Sequence, residues 1–462
     1  MIEHELPWTP PLEAAERLRH RPGFAFLDSG GEDLSNGRYA FIGHSPFGEF
    51  VIQGGRAFWC GTLLDGAPLA RLRDILGRWR LDPDPEAPPL RGGCIGHVSY
   101  DLGQSLERLA PPERRPPDCT DLRLAFYDVI CAFDRQERRF RIFSSGFPET
   151  GGAARAKARL TETLALLESE APPQDATERA ARCAPVSDWR SNFTPQGFMN
   201  AIEEVRAHIL SGDIYQANLT QRFEASLPEG FDPWAFYRTL RKVNPAPFAA
   251  YLRDGETVFA SSSPERFLSL RGGEVEARPI KGTSPRDADP AKDRELAAGL
   301  EASEKDRAEN IMIVDLLRND LSRVCAPGSV EVPVLCGLES YASVHHLTSV
   351  VRGRMQPGRG AIDLIESCFP GGSITGAPKI RAMEIITEQE RIARGVYCGS
   401  IGYIGFDGTM DLNIAIRTAI LGAGRAVVQA GGGITLLSDP AAEYAESLCK
   451  ADRLLAAFAA DP

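Results

Sequence analysis

Two short segments carry side chains that could attack carbon and move a proton. In Pro279-Ile280-Lys281-Gly282-Thr283, a lysine stands inside an apolar, glycine-bounded strand end. A nucleophilic amine is one explanation for a charge placed there; a buried stem whose head snorkels to water is the other. Sixteen residues earlier, Ser263-Pro264-Glu265-Arg266-Phe267 offers a carboxyl at a turn. Further on, Asp306 and Glu309 lie three residues apart, as do Glu443 and Glu446, with Lys450 four beyond. Each set shares one helix face. Such faces are ordinarily solvated, but two of them opposed across a cleft would make a hard-oxygen site for Mg2+, which binds a few carboxylates and leaves positions for water and substrate.

These groups must be positioned by recognisable elements. A strongly helical stretch from Ala291 to Leu317 carries the first acidic pair. Thr194 as a cap and Pro195 at the first turn open a helix with Phe198, Ile202, Val205 and Ile209 on one face. That helix ends at Gly212 and runs into a β-rich segment, Ile214–Phe223. Further strands are expected over 257–261, 266–270, 274–280, 399–406, 411–421 and 425–430. Gly371-Gly372-Ser373-Ile374-Thr375-Gly376-Ala377-Pro378-Lys379 reads as a glycine-rich turn entering a helix, either purely structural or an anion seat, with a carboxylate favoured over a triphosphate. Gly431-Gly432-Gly433 could bring backbone close to a ligand.

Residues 1–150 read as mostly β, 151–190 as a helix followed by a polar linker, and 191–462 as a second region of mixed elements. Without regular βαβ alternation the fold class is α+β with antiparallel sheets. No dinucleotide fingerprint or Walker loop is present. Ile95–Asp101 and Ile401–Asp407 echo one another faintly, which chance explains better than duplication.

A net charge of −11 argues against nucleic acid and anionic membranes. No apolar run approaches the ~18 residues of a membrane span, and the acidic N-terminus lacks a secretory signal. A cytoplasmic location is expected. The ten cysteines are scattered singly, without zinc-ligand spacing, and read as reduced core residues.

Several segments then resemble the chorismate-utilising enzymes: Asp213–Thr220, Ser263–Phe267, Arg318-Asn319-Asp320-Leu321, His345-His346-Leu347, Gly376–Lys379 and Asn413–Thr418. The resemblance covers nearly the whole chain and implies the fold of anthranilate synthase component I. Two positions point within the family. Anthranilate synthases typically have alanine at the position of Lys281, and isochorismate and salicylate synthases have a water-activating lysine at the position of Gln216, so the pair selects the aminodeoxychorismate branch. Anthranilate synthase chemistry and a non-catalytic amino-acid-sensing subunit are the rival readings.

The same resemblance implies Glu265 as general acid, Lys281 as covalent nucleophile and His346 near the leaving hydroxyl, although alone His346 reads as a core histidine. It makes Glu309 and Glu446 the Mg2+ ligands, supported through water by Asp306 and Glu443. Tyr397, Arg417 and the Gly432 backbone would hold one substrate carboxylate, with Gly282, Thr283, Thr375 and Lys450 also lining the substrate. Ammonia would come from a separate glutamine amidotransferase subunit. Leu27-Asp28-Ser29 and Gly37-Arg38-Tyr39 resemble a region that forms a tryptophan pocket in relatives. The chemistry demands two displaced pKa values. A lysine near 10.4 is only about one part in a thousand neutral at pH 7, so burial must lower it, while the Glu265 carboxyl must rise towards about 6–7 to donate a proton.

Overall fold

The computed structural model describes residues 1–31, 36–116, 119–149, 152–169, 189–341 and 344–459. Two 12-stranded antiparallel sheets face one another. An apolar layer lies between them, where Phe41 of one sheet meets Tyr403 of the other edge-on at 5.5 Å. Fully burying side chains of this size stabilises by roughly 1.5–3 kcal/mol each. A second core packs the helices Pro11–Leu18, Pro233–Val243 and Pro440–Ala459 on the outer face of the first sheet. A third packs Glu304–Ser322 and Ala361–Cys368 against the second. The expected α+β class is what the chain adopts.

Both sheets cross the sequence division expected at 151–190. In the first, Ala25–Asp28 pairs with Phe248–Asp254; in the second, Gly93–Val98 pairs with Ser400–Gly405. Neither the N-terminal nor the C-terminal part therefore closes a sheet of its own. The helix of the intervening region spans Ala153–Glu168, and nearly all of the linker expected after it lies outside the described residues. The two segments that echo one another are neighbours here, with Gly96 opposite Gly402.

Three expected elements are interrupted, each for a local reason. The helix expected over 291–317 is two, Pro290–Ala302 and Glu304–Ser322. Ser303 ends the first and caps the second: its hydroxyl accepts from the Asp306 N–H at 3.3 Å and donates to Asp306 Oδ2 at 2.6 Å. The strand expected over 274–280 stops at Ala277, before Pro279, which cannot donate to a ladder. Its continuation, Ile280–Pro285, pairs with Val344–Arg354 through a register shift between Ile280 and Thr283. The strand expected over 411–421 breaks into Met410–Asn413 and Thr418–Gly422, with Arg417 at φ +50° between them. Elsewhere the pattern holds: Thr194 accepts from Gly197 N–H at 3.0 Å to cap Pro195–Leu210, and Phe198, Ile202 and Val205 are buried. Of the nine described cysteines, Cys60 and Cys449 are exposed rather than in the core.

Candidate active site

The site lies where the chain changes sheets. Thr257–Ser263 belongs to the first sheet and Arg266–Arg271 to the second, so Ser263-Pro264-Glu265 is a corner. Ser263 Oγ donates to Ile414 O at 2.6 Å and accepts from Glu265 N–H at 3.3 Å, while Ile414 N–H donates to Glu265 O at 3.0 Å. The second crossing, from Met410–Asn413 to Thr418–Gly422, runs alongside, joined by Ser262 N–H to Arg417 O at 3.0 Å. Two crossings bonded to each other fix Glu265 and Arg417 on rigid backbone.

Glu265 is only 5% exposed. Burial pushes its carboxyl up to about 7, against the opposing effects of a Ser373 hydrogen bond, Lys281, the Ile280 N–H and Arg417. Lys281 occupies the register shift of its strand, a bulge that takes its backbone out of the ladder and aims its side chain. Gly282 beside it has φ +82°, and a Cβ there would come within 2.9 Å of Asp306 Cβ, so the bulge needs glycine twice over. The Lys281 residue is half-buried towards the cleft. Enclosure of its ammonium nevertheless outweighs the attraction of Glu309 and Glu265 and lowers its pKa. Thus the acid is raised and the amine lowered, the directions that proton donation and nucleophilic attack require.

Across the cleft, the two acidic helix faces oppose each other. Lys305 on Glu304–Ser322 reaches Glu443 Oε1 on Pro440–Ala459 at 3.8 Å. Between them runs the glycine edge of Arg425–Ile434: a Cβ on Gly432 would sit 3.4 Å from Glu443 Oε2, 3.4 Å from Lys450 Nζ and 3.8 Å from Glu446 Oε1. One on Gly433 would strike Gln216 Nε2 at 2.2 Å and lie 3.6 Å from Glu309 Oε2. Burial raises the Glu309 carboxyl despite Lys281 and Lys305. At Glu446 burial also pushes upward, but Lys450, 2.8 Å away, brings the net displacement below the ordinary value.

This all-carboxylate donor set, gathered round a side-chain-free strand, suits a hard cation. Among the described residues no three acidic, histidine or cysteine side chains converge as a ready ligand set. Asp306 is engaged by Ser303, Glu443 by Ser438 Oγ at 2.7 Å and Glu446 by Lys450. Glu309 and Glu446, one carboxylate from each helix, could hold such a cation if Glu446 gave up its pairing with Lys450.

The remaining candidates divide. Tyr397 is buried, its hydroxyl held well above its usual pKa by burial and by the neighbouring Cys398. His346 is also buried, its Nδ1 2.8 Å from Thr283 Oγ1 in a directly paired position; it is joined to the Lys281 strand. Arg417 Nη1 donates to Asn244 Oδ1 at 3.4 Å, and Lys450 Nζ donates to Gly431 O at 3.0 Å. Thr375 is fully buried and its hydroxyl donates into its own turn, to Gly371 O at 2.9 Å. At the start of the next helix, Lys379 is spent on Asp320 Oδ2 at 2.6 Å and Cys368 O at 2.9 Å. The glycine-rich turn thus serves through Ser373 on Glu265 rather than through Lys379.

In the sequence Ser373 looks like ordinary turn chemistry, and only the fold brings its hydroxyl to Glu265. Arg394 carried no signal at all. Buried and stacked 4.4 Å over Tyr100, it donates to Ile374 O, Asn218 O and both oxygens of Glu390, locking the turn onto strand Gln216–Ser226.

A separate cavity of about 320 Å³ opens between the sheets, lined by Leu27, Asp28, Ser29, Arg38 and Tyr39 from one side and Arg266, Tyr403, Met410 and Asn413 from the other. It contains most of the N-terminal residues singled out in the sequence. Arg266, adjacent to Glu265, is held there by a two-pronged ion pair with Asp411 at 3.1 and 3.0 Å.

The family model described as chorismate binding enzyme matches residues 24–456. The chain belongs to the chorismate-binding enzymes. An aminodeoxychorismate synthase component 1 from Klebsiella aerogenes is 40% identical over 97% of this chain and 97% of its own length. An anthranilate synthase component 1 from Streptomyces coelicolor is 38% identical over 91% of this chain and 80% of its own. Among solved structures, anthranilate synthase component I from Streptococcus pneumoniae TIGR4 superimposes with a TM-score of 0.81 at 33% identity, covering 92% of this chain and 93% of that one. The chorismate-binding fold places Glu265, Lys281 and the two acidic helices around one cleft, and no helix among its described residues is long and apolar enough to cross a membrane.

Proposed function

We propose that this chorismate-binding enzyme is an aminodeoxychorismate synthase component 1, replacing the ring hydroxyl of chorismate with an amine. The observation that carries this reading is a lysine of lowered pKa in a strand bulge, facing a buried carboxyl raised to about 7. Gln216, not a lysine, stands on the opposite wall. Amination needs a poor leaving group made good and a nucleophile that water does not outcompete.

The neutral Lys281 amine forms a bond to ring carbon 2 as the double bonds shift and the carbon 4 hydroxyl departs with the Glu265 proton, as water. Ammonia then bonds to carbon 4 while the carbon 2–nitrogen bond breaks, returning Lys281 as the amine; the new ammonium gives a proton back to Glu265, leaving 4-amino-4-deoxychorismate. Arg417, Tyr397 and the Gly432 backbone would seat one carboxylate, where a guanidinium fork matches two oxygens. A magnesium ion on Glu309 and Glu446, with Asp306 and Glu443 behind them, would hold the ring carboxylate and offset acidic charge beside Lys281. Ammonia would be supplied by a glutamine amidotransferase partner, in keeping with the component 1 naming of the relatives. The inter-sheet cavity has the size and mixed lining for an amino acid such as tryptophan.

Anthranilate synthase chemistry is the second reading, favoured by the relative that is 38% identical. Incubation with chorismate, Mg2+ and ammonium salt separates the two: mass-resolved 4-amino-4-deoxychorismate is expected, and fluorescent anthranilate in its place would reject the proposal.

A further inference from the structure

Three lysines share the acidic cleft between Glu304–Ser322 and Pro440–Ala459, and they are held differently. Lys450 is tied along its own helix, 2.8 Å from Glu446 Oε1, and to Gly431 O at 3.0 Å. Lys281 is fixed by the bulge of its strand. Lys305 instead leaves the first turn of one helix and crosses to the other, its Nζ 3.8 Å from Glu443 Oε1, with the side chain 48% exposed. The Glu443 side chain it faces is only 8% exposed. The same ammonium acts electrostatically on Glu309 and Glu446, the two carboxylates assigned to the metal. Lys450 is as exposed as Lys305 but is held by two close contacts; Lys305 is held by one long ion pair.

We propose that Lys305 is a tethered cation that competes with the divalent metal for the carboxylates of the two helices, so that its displacement sets the metal affinity of the site. This rests on reading the cleft as a magnesium site. Like charges on facing helices repel, and an ammonium on a flexible stem offsets that repulsion without supplying a ligand. A long ion pair whose ammonium is half-exposed is weaker and more salt-sensitive than a close one, hence more easily displaced by a compact ion of twice the charge.

The test titrates the full chain with Mn2+ by calorimetry, without chorismate, in low and high salt, alongside Lys305→Met, Lys305→Gln and Lys305→Arg. Both neutral variants should bind Mn2+ about two- to five-fold more tightly in low salt, with the gap narrowing in high salt. They should also melt at lower temperature without metal and gain more on its addition, while Lys305→Arg stays near the parent. Two neutral variants guard against one folding poorly. Equal or weaker binding by the neutral variants overturns the role of Lys305 and leaves the magnesium reading standing. If neither parent nor variants bind Mn2+ or Mg2+, the magnesium reading falls and the competition with it.

Discussion

Replacing Glu265 with glutamine should make the protein more stable and inactive at the same time. The carboxyl is raised from an ordinary 4.5 to about 7, chiefly by burial. Above pH 7 the folded state must hold a charge that water would solvate better, and the displacement corresponds to about 3 kcal/mol of lost stability. The sign follows from proton counts. Between 4.5 and 7 the folded chain binds the proton more tightly than the unfolded chain, so stability falls as pH rises through that window and the full cost persists above it. Glutamine keeps the shape without the charge. Glu265→Gln should therefore melt higher than the parent at pH 8, by about 3 °C for a chain of this length, whose unfolding entropy is about 1 kcal/mol per kelvin. The difference should shrink towards zero near pH 4.5. Paired calorimetric melts from pH 5 to 8 read this directly, because acid effects on all other groups cancel between the two proteins. A difference that is absent at pH 8, or that does not change with pH, would refute the claim that Glu265 is held as an acid by its surroundings.

Catalysis should follow the opposite logic for the two groups: at fixed free ammonia, loss of the Glu265 proton at about 7 removes the acid as pH rises, and protonation of Lys281 removes the nucleophile as pH falls. A profile flat across that range removes both assignments. Lys281→Ala should lose amination by at least about 10³-fold, and intact-mass analysis of the parent during turnover should show a covalent adduct; unchanged kinetics would eliminate the nucleophile. Glu309→Ala and Glu446→Ala should each lose Mg2+-dependent turnover, and retained activity in either would displace that ligand. Calorimetric titration with tryptophan should show binding that Met410→Trp, which fills the inter-sheet cavity, abolishes; binding unaffected by that substitution would place the amino acid elsewhere.

The reactive residues could be picked out in the sequence because their types contradict their surroundings. A lysine in an apolar strand end and carboxylates repeated at helical spacing are visible without any fold. The helix from Pro195 was equally plain, since its cap, its proline and its apolar face agree. What could not be read was long-range pairing. A strand that closes the first sheet and one that closes the second have the same two-residue alternation, so the corners at Glu265 and Ile414–Arg417 left no periodic trace. Ser303 shows the local counterpart: one hydroxyl splits a helix that propensity alone would have continued. Ser373 and Arg394 were invisible for a further reason. Each works through partners distant in sequence, and a turn serine or a loop arginine has a more ordinary explanation until those partners are known.

The strands Thr418–Gly422 and Arg425–Ile434 lie inside the first sheet, flanked by Thr257–Ser263 and Gln216–Ser226. During synthesis those earlier neighbours emerge first and wait, with open edges, for a segment some two hundred residues behind them. The ribosome thus exposes a half-built sheet before its middle arrives, a delay during which a chaperone or a second nascent copy could occupy the gap.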